Sequence, residues 1–278
     1  MTSFPNLLII GAMKAGTTSL HDYLGLHPDI FMSEPKELHF YDDLSQLSRE
    51  KYLNNFNSKC KVIGTTPQNY TKAHHKDFKN IPERIFKDTP NVKLIYIVRD
   101  PFERVLSHVV ENRYGDSPER SKQNLKTDHY WKTSLYDYQI SQYLKFFKKS
   151  QIHVLTLEDL KENRLYELNK IFKFIDLKEL EDNSQFDYIM NDASSKQVPD
   201  FIKSQYWFRI LKKLNLKLAE KMASQVVNNF YTSYLSKPKL SEIINREIVE
   251  IVRADSSQFQ KKFNVDISEW NLNPDLNE

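Results

Sequence analysis

The chain has 278 residues, 40% hydrophobic and 13% aromatic, which is enough apolar material for a packed core and excludes a disordered chain. Its formal net charge is only +3 at pH 7, so composition excludes a nucleic-acid binder, and any anion site must be a local concentration of charge. The single cysteine, Cys60, excludes an internal disulfide framework and points to a reducing, cytoplasmic setting.

The elements follow in chain order. "NLLII" (6–10) reads as a buried parallel strand. No basic region precedes this apolar run and Lys14 interrupts it, so neither a signal peptide nor a membrane span is expected. "TTSLHDYLGLHPD" reads as a helix ending near His27 and Pro28, and "KVIG" (61–64) as a short strand. "FKNIPERIFKDTP" is helical with a stop at Pro90. "VKLIYIVRDP" (92–101) is the clearest strand, and "FERVLSHVVENRY" continues as a helix with Pro101 in its first turn. Residues 115–133 lose periodicity and read as a loop or lid. "SLYDYQISQYLKFFKK" reads as an amphipathic helix, "QIHVLTLEDL" as strand and turn, "LYELNKIFKFIDL" as a helix, and residues 178–200 as irregular. The remainder is mostly helical. Its lysine-rich "FRILKKLNLKLAEK" reads as a core-facing amphipathic helix with a solvated side, not a membrane binder.

Alternating strands and helices without a linker imply one α/β domain over residues 1–278, a central parallel sheet flanked by helices. Ligands in such sheets bind at the carboxyl ends of strands, where two loops stand out. "GAMKAGTTS" is P-loop-like: Gly11 and Gly16 are spaced as in a phosphate loop, but Thr17 stands at the usual lysine position and Lys14 lies inside the loop. Backbone amides from Lys14 through Ala15 and Gly16, with the hydroxyls of Thr17, Thr18 and Ser19, form an anion cradle; a plain strand-to-helix turn is the competing reading. In "VRDPFERVLS", Arg99 emerges at the same edge and Ser107 lies two turns on, which suits a second phosphate; the competing reading pairs Arg99 with Asp100 or Glu103. No His or Cys cluster has metal spacing, and His74 and His75 read as exposed helix-start residues.

Together "GAMKAGTTSL" and "VRDPFERVLS" resemble the sulfotransferases that use 3′-phosphoadenosine 5′-phosphosulfate (PAPS). "HPDIFMSEPKELHFYDD" and "FNVDISEW" resemble segments of the heparan-type carbohydrate and bacterial branches. The resemblance implies a sulfotransferase fold, PAPS as donor, PAP as product and no metal. It assigns the first loop to the 5′-phosphosulfate and Arg99 with Ser107 to the 3′-phosphate. It also implies Glu37 as general base, with His39 as the competing candidate, and Ser194 and Lys196 in a loop closing over the nucleotide. The acceptor it implies is a small molecule or carbohydrate, sulfated on a hydroxyl or an amine or guanidinium nitrogen, with no nucleic-acid or membrane partner. One departure bears on the acceptor. Heparan-type members carry Glu-Lys-Thr-Pro where this chain has Gly64, Thr65, Thr66 and Pro67. Two rivals stay open: a P-loop kinase-like phosphotransferase using Asp100 for metal, and a non-catalytic nucleotide-binding protein.

Overall fold

The computed structural model describes residues 3–42, 47–125, 127–182, 186, 198–214 and 216–276. The first half reads β1 (Leu7–Gly11), α1 (Thr17–Gly25), β2 (Ile30–Met32), α2 (Arg49–Leu53), β3 (Val62–Thr65), α3 (Ile81–Asp88), β4 (Lys93–Val98) and α4 (Pro101–Gly115). The second reads α5 (Pro118–Leu125), α6 (His129–Lys132), α7 (Tyr136–Tyr143), β5 (Ile152–Thr156), α8 (Leu157–Glu162), α9 (Arg164–Phe174), α10 (Asp200–Lys203), α11 (Tyr206–Leu214), α12 (Leu216–Val226), α13 (Thr232–Leu235) and α14 (Arg246–Phe263).

The five strands form one parallel sheet in the order β2-β3-β1-β4-β5. Leu8 of β1 stands opposite Thr65 of β3 and Leu94 of β4, so β1 is central and all five of its residues are buried. The period-two alternation divides the core into two layers. Leu8, Ile10, Leu94 and Tyr96 face Tyr136, Ile140 and Phe259 on one side. Leu7, Ile9, Ile95 and Ile97 face Leu20, Leu24, Leu168 and Phe172 on the other. The chain leaves β1 toward β2 and β3 and returns to β4 on the opposite side. The loops after β1 and β4 therefore diverge at the switch in strand order and open a crevice between them.

The parallel sheet matches the sequence reading, with three differences. The edge strand β2 is only three residues long, too short for an alternation to register. Residues 115–133, expected as a loop, contain α5 and α6; Tyr130 and Trp131 bury against Phe102, Val105 and Val109 of α4 and fix α6 by tertiary contact where its composition is indifferent. The lysine-rich helix is two helices, α11 and α12. They bury Phe208, Ala219 and Ala223 but leave Tyr206, Ile210, Leu218 and Met222 exposed, so the core-facing expectation holds for one narrow stripe only.

Candidate active site

The loop after β1 needs both of its glycines. Gly11 has φ +150°, and a Cβ there would lie 2.1 Å from Thr71 Oγ1; Gly16 has φ +88°, and its Cβ would lie 2.6 Å from Leu157 Cδ1. Lys14, at φ +67°, also adopts the left-handed conformation, which turns the chain back into α1. Gly16 occupies the N-cap of α1 and supplies no side-chain cap, so the first-turn amides have no partner within the helix. Gly16, Thr17, Thr18 and Ser19 line a cavity of about 740 Å³. A helix N-terminus without a side-chain cap, opening on a cavity, is the place where the sequence reading puts its anion cradle.

The loop after β4 is held by Asp100. Its Oδ1 accepts from the amides of Phe102 and Glu103 at 2.8 and 2.9 Å, capping α4, and its Oδ2 accepts from the Asn271 amide at 2.7 Å. Both oxygens accept from backbone donors, and Asp100 is not among the residues lining the cavity between the two loops. Arg99 and Ser107 line the same cavity as the first loop. Arg99 Nη1 donates to the Lys14 carbonyl at 3.4 Å, and Nη2 lies 3.6 Å from a Glu103 carboxylate oxygen. Arg104, in the same motif, is fully buried. It donates to the Met13 carbonyl at 3.4 Å, to Ser134 Oγ at 2.5 Å and to the Tyr130 carbonyl. Its work is to fasten the first loop to α4.

The wall carries five cations (Lys14, Lys36, Arg99, Lys161, Arg164) against two carboxylates (Glu37, Glu111). This local excess equals the formal charge of the whole chain. Lys14 Nζ lies 3.0 Å from Glu111 Oε2. Lys36 Nζ donates to Thr18 Oγ1 at 3.0 Å and pairs with Glu37 Oε1 at 3.0 Å, so one ammonium joins the helix α1 cradle to the candidate base. The segment carrying both is pinned to the end of β3: the Lys36 carbonyl accepts from Thr65 Oγ1 at 3.1 Å and from the Thr66 amide at 3.2 Å. Thr65 thus serves as an anchor, and the cation at this end of the cavity is Lys36.

Glu37 and His39 part company in the structure. Glu37 lines the cavity; His39 does not, and its Nδ1 lies 2.8 Å from the buried Asp42 carboxylate. Asn69 donates to the same Asp42 oxygen at 3.0 Å and accepts from Lys72 Nζ at 2.8 Å. Lys72 is only 6% exposed, and burial followed by the charge of Arg104 pulls its pKa down to about 8. A lysine with a lowered folded pKa weakens the fold below that pKa, and the penalty fades as pH rises toward the unfolded value of 10.5. Between pH 7 and 10.5 the stability gap between wild type and Lys72→Met should therefore shift toward wild type by about 3 kcal/mol. Urea unfolding across that range measures it, and a gap that stays constant contradicts the assignment.

The site thus brings together Lys14, Gly16, Thr17, Thr18, Ser19, Arg99, Ser107 and Glu37. Gly11 and Ala15 are buried and shape the loop from behind. Ser194 and Lys196 lie outside the described residues. His74, expected as exposed, is half-buried: its Nε2 lies 3.0 Å from His129 Nδ1 and its Nδ1 lies 3.1 Å from Gln139 Nε2. Sequence reasoning missed Lys36, Glu111, Lys161 and Arg164. Lys36 stands beside Glu37 and was within reach; Arg164, whose guanidinium lies 5.0 Å from the Tyr23 ring centroid, comes from a segment with no motif.

The family model for the sulfotransferase domain matches residues 4–260. Human heparan sulfate glucosamine 3-O-sulfotransferase 5 is 28% identical over 193 residues, covering 62% of this chain and 54% of the relative; the chain spans about half the length of the curated relatives it matches. Two solved structures share the fold. A sulfotransferase from Alicyclobacillus acidocaldarius has TM-score 0.61 at 19% identity, covering 96% of this chain and 99% of that one. The sulfotransferase domain from the curacin biosynthetic pathway has TM-score 0.52 at 16% identity, covering 93% and 98%. With the family model spanning both loops, the whole sheet and nearly the whole chain, the chain belongs to the sulfotransferase domain family.

Proposed function

We propose that the cavity binds PAPS and that the chain transfers its sulfuryl group to a hydroxyl or nitrogen of a carbohydrate or small-molecule acceptor in the cytoplasm. The observation that carries this reading is the meeting, in one cavity, of an uncapped helix N-terminus with Lys14, of Arg99 with Ser107, and of Glu37. The residues fit the donor. The amides and hydroxyls of 16–19 and the Lys14 ammonium suit a phosphosulfate, and Arg99 with Ser107 suits a separate 3′-phosphate. The acceptor atom attacks sulfur as the bond from sulfur to the bridging phosphate oxygen breaks, and that electron pair stays on the departing PAP. Lys14 and Lys36 stabilise the charge gathering there, and Glu37 takes the acceptor proton. The heparan sulfate named for the relative supports a carbohydrate acceptor. Gly64 and Thr65, uncharged at the end of β3, support a smaller or differently charged one.

Calorimetric titration tests the donor. PAP should bind, and ATP with magnesium should bind far more weakly. Arg99→Ala should weaken PAP by about 1.5–3 kcal/mol. It should weaken adenosine 5′-phosphosulfate, which has no 3′-phosphate, much less. Equal affinity for PAP and ATP–magnesium, or equal loss for both sulfate-pathway nucleotides, contradicts the reading.

A further inference from the structure

The α10–α12 segment carries two features that the donor cavity does not use. The first is a groove of about 700 Å³ lined by Lys203, Ser204, Phe208, Arg209, Lys212 and Lys213: four cations and no carboxylate. Lys203 is paired with Asp200, whereas Arg209, Lys212 and Lys213 form no ion pair with any described residue. The second feature is exposed apolar surface beside those cations. Tyr206 is 78% exposed and Ile210 40%, one turn apart on α11, and Leu218 on α12 is 45% exposed.

Helical geometry sorts these residues. Phe208, Ala219 and Ala223 bury against Ile202, Val227 and Leu235, which defines the inner side of the hairpin. At 100° per residue, Tyr206, Ile210, Arg209 and Lys213 fall together on the outer side of α11. On α12, Lys217 and Lys221 lie one turn apart on the outer side, with Leu218 flanking them. Cations and large apolar side chains therefore alternate on one outward surface, in a chain whose net charge is only +3.

From this surface we infer that the α10–α12 segment docks on an anionic lipid bilayer. The cationic groove receives headgroup phosphates, and Tyr206, Ile210 and Leu218 enter the boundary between headgroups and acyl chains. The aliphatic residues decide between this occupant and an anionic polysaccharide. A sulfated sugar chain uses cations and ring stacking, and it gains nothing from isoleucine or leucine; acyl chains do. Attachment lies in the plane of the surface, because no described helix is long and apolar enough to cross a membrane. The sequence reading names no membrane partner, and the proposal departs from it on the strength of this surface alone. Through α10, which packs on α4, and through Tyr114 of α4, the docking face is continuous with the helix that carries Ser107. The inference does not depend on the identity of the sulfuryl donor.

Co-sedimentation of the full chain with vesicles tests it. Binding is expected to phosphatidylcholine vesicles containing phosphatidylserine and not to phosphatidylcholine alone, and it should weaken as salt rises. Lys212→Ala with Lys213→Ala should lower the vesicle partition coefficient about tenfold or more. Ile210→Ser with Leu218→Ser should lower it about tenfold, with PAP binding and melting temperature unchanged. Equal partition onto neutral and anionic vesicles overturns the proposal. So does a chain retained by heparin whose serine variant binds vesicles as well as wild type, since such a face reads polyanions and not a bilayer.

Discussion

Glu37→Gln should lower turnover by about 10²–10⁴ while leaving PAP affinity nearly unchanged. The substitution keeps the size of the side chain and removes the proton acceptor. The donor contacts assigned to residues 16–19, Arg99 and Ser107 stay in place, because Thr65 and Thr66 hold this segment through the Lys36 carbonyl and not through the glutamate. His39→Asn is the paired measurement. Its ring is tied to buried Asp42 and lies off the cavity wall, so its loss should cost less. Near-full turnover in Glu37→Gln with a dead His39→Asn, both still binding PAP, would transfer the role of base to the His39–Asp42 pair.

Lys14→Met should lower turnover by about 10²–10³, the scale of removing one preorganised donor from the charge of a transition state. The left-handed backbone at residue 14 comes from the loop, and Arg99 and Arg104 hold the carbonyls of Lys14 and Met13, so the loop should keep its shape without the ammonium. Glu111 gives the complementary arm. Its carboxylate lies 3.0 Å from Lys14 and lines the anion cavity, so Glu111→Gln should tighten PAP. Circular dichroism and PAP titration of both variants separate a lost charge from a lost fold. A Lys14→Met enzyme with unchanged turnover would remove lysine from the chemistry.

What could be read in advance followed the length of the signal. β1 and β4 are continuous apolar runs that no other element explains, and the two loops that follow them carry unusual residue combinations, so the sheet, the crevice and the loops that line it were legible together. β2 gave three residues of signal and α6 four, and both are held by tertiary contacts that no local window contains. The same limit applied at the site. The Lys36–Thr18 bond joins residues eighteen positions apart across two elements, and the Lys14–Glu111 pair spans ninety-seven. Motif reading found the residues of the two loops that line the cavity. It could not find the partners that this chain's packing supplies, nor the exposed outer faces of α11 and α12, whose periodicity is equally that of a buried helix.

The most direct test of the account is transfer of labelled sulfuryl from PAPS to a panel of alcohols, sugars, amines and guanidinium compounds, with PAP release followed in parallel and EDTA present throughout. The positive field in the proposed reaction comes from Lys14, Lys36 and the loop amides, so the account predicts labelled product matched by PAP, undiminished by chelation. PAP binding without transfer to any acceptor, or turnover that vanishes in EDTA and returns with magnesium, would contradict it.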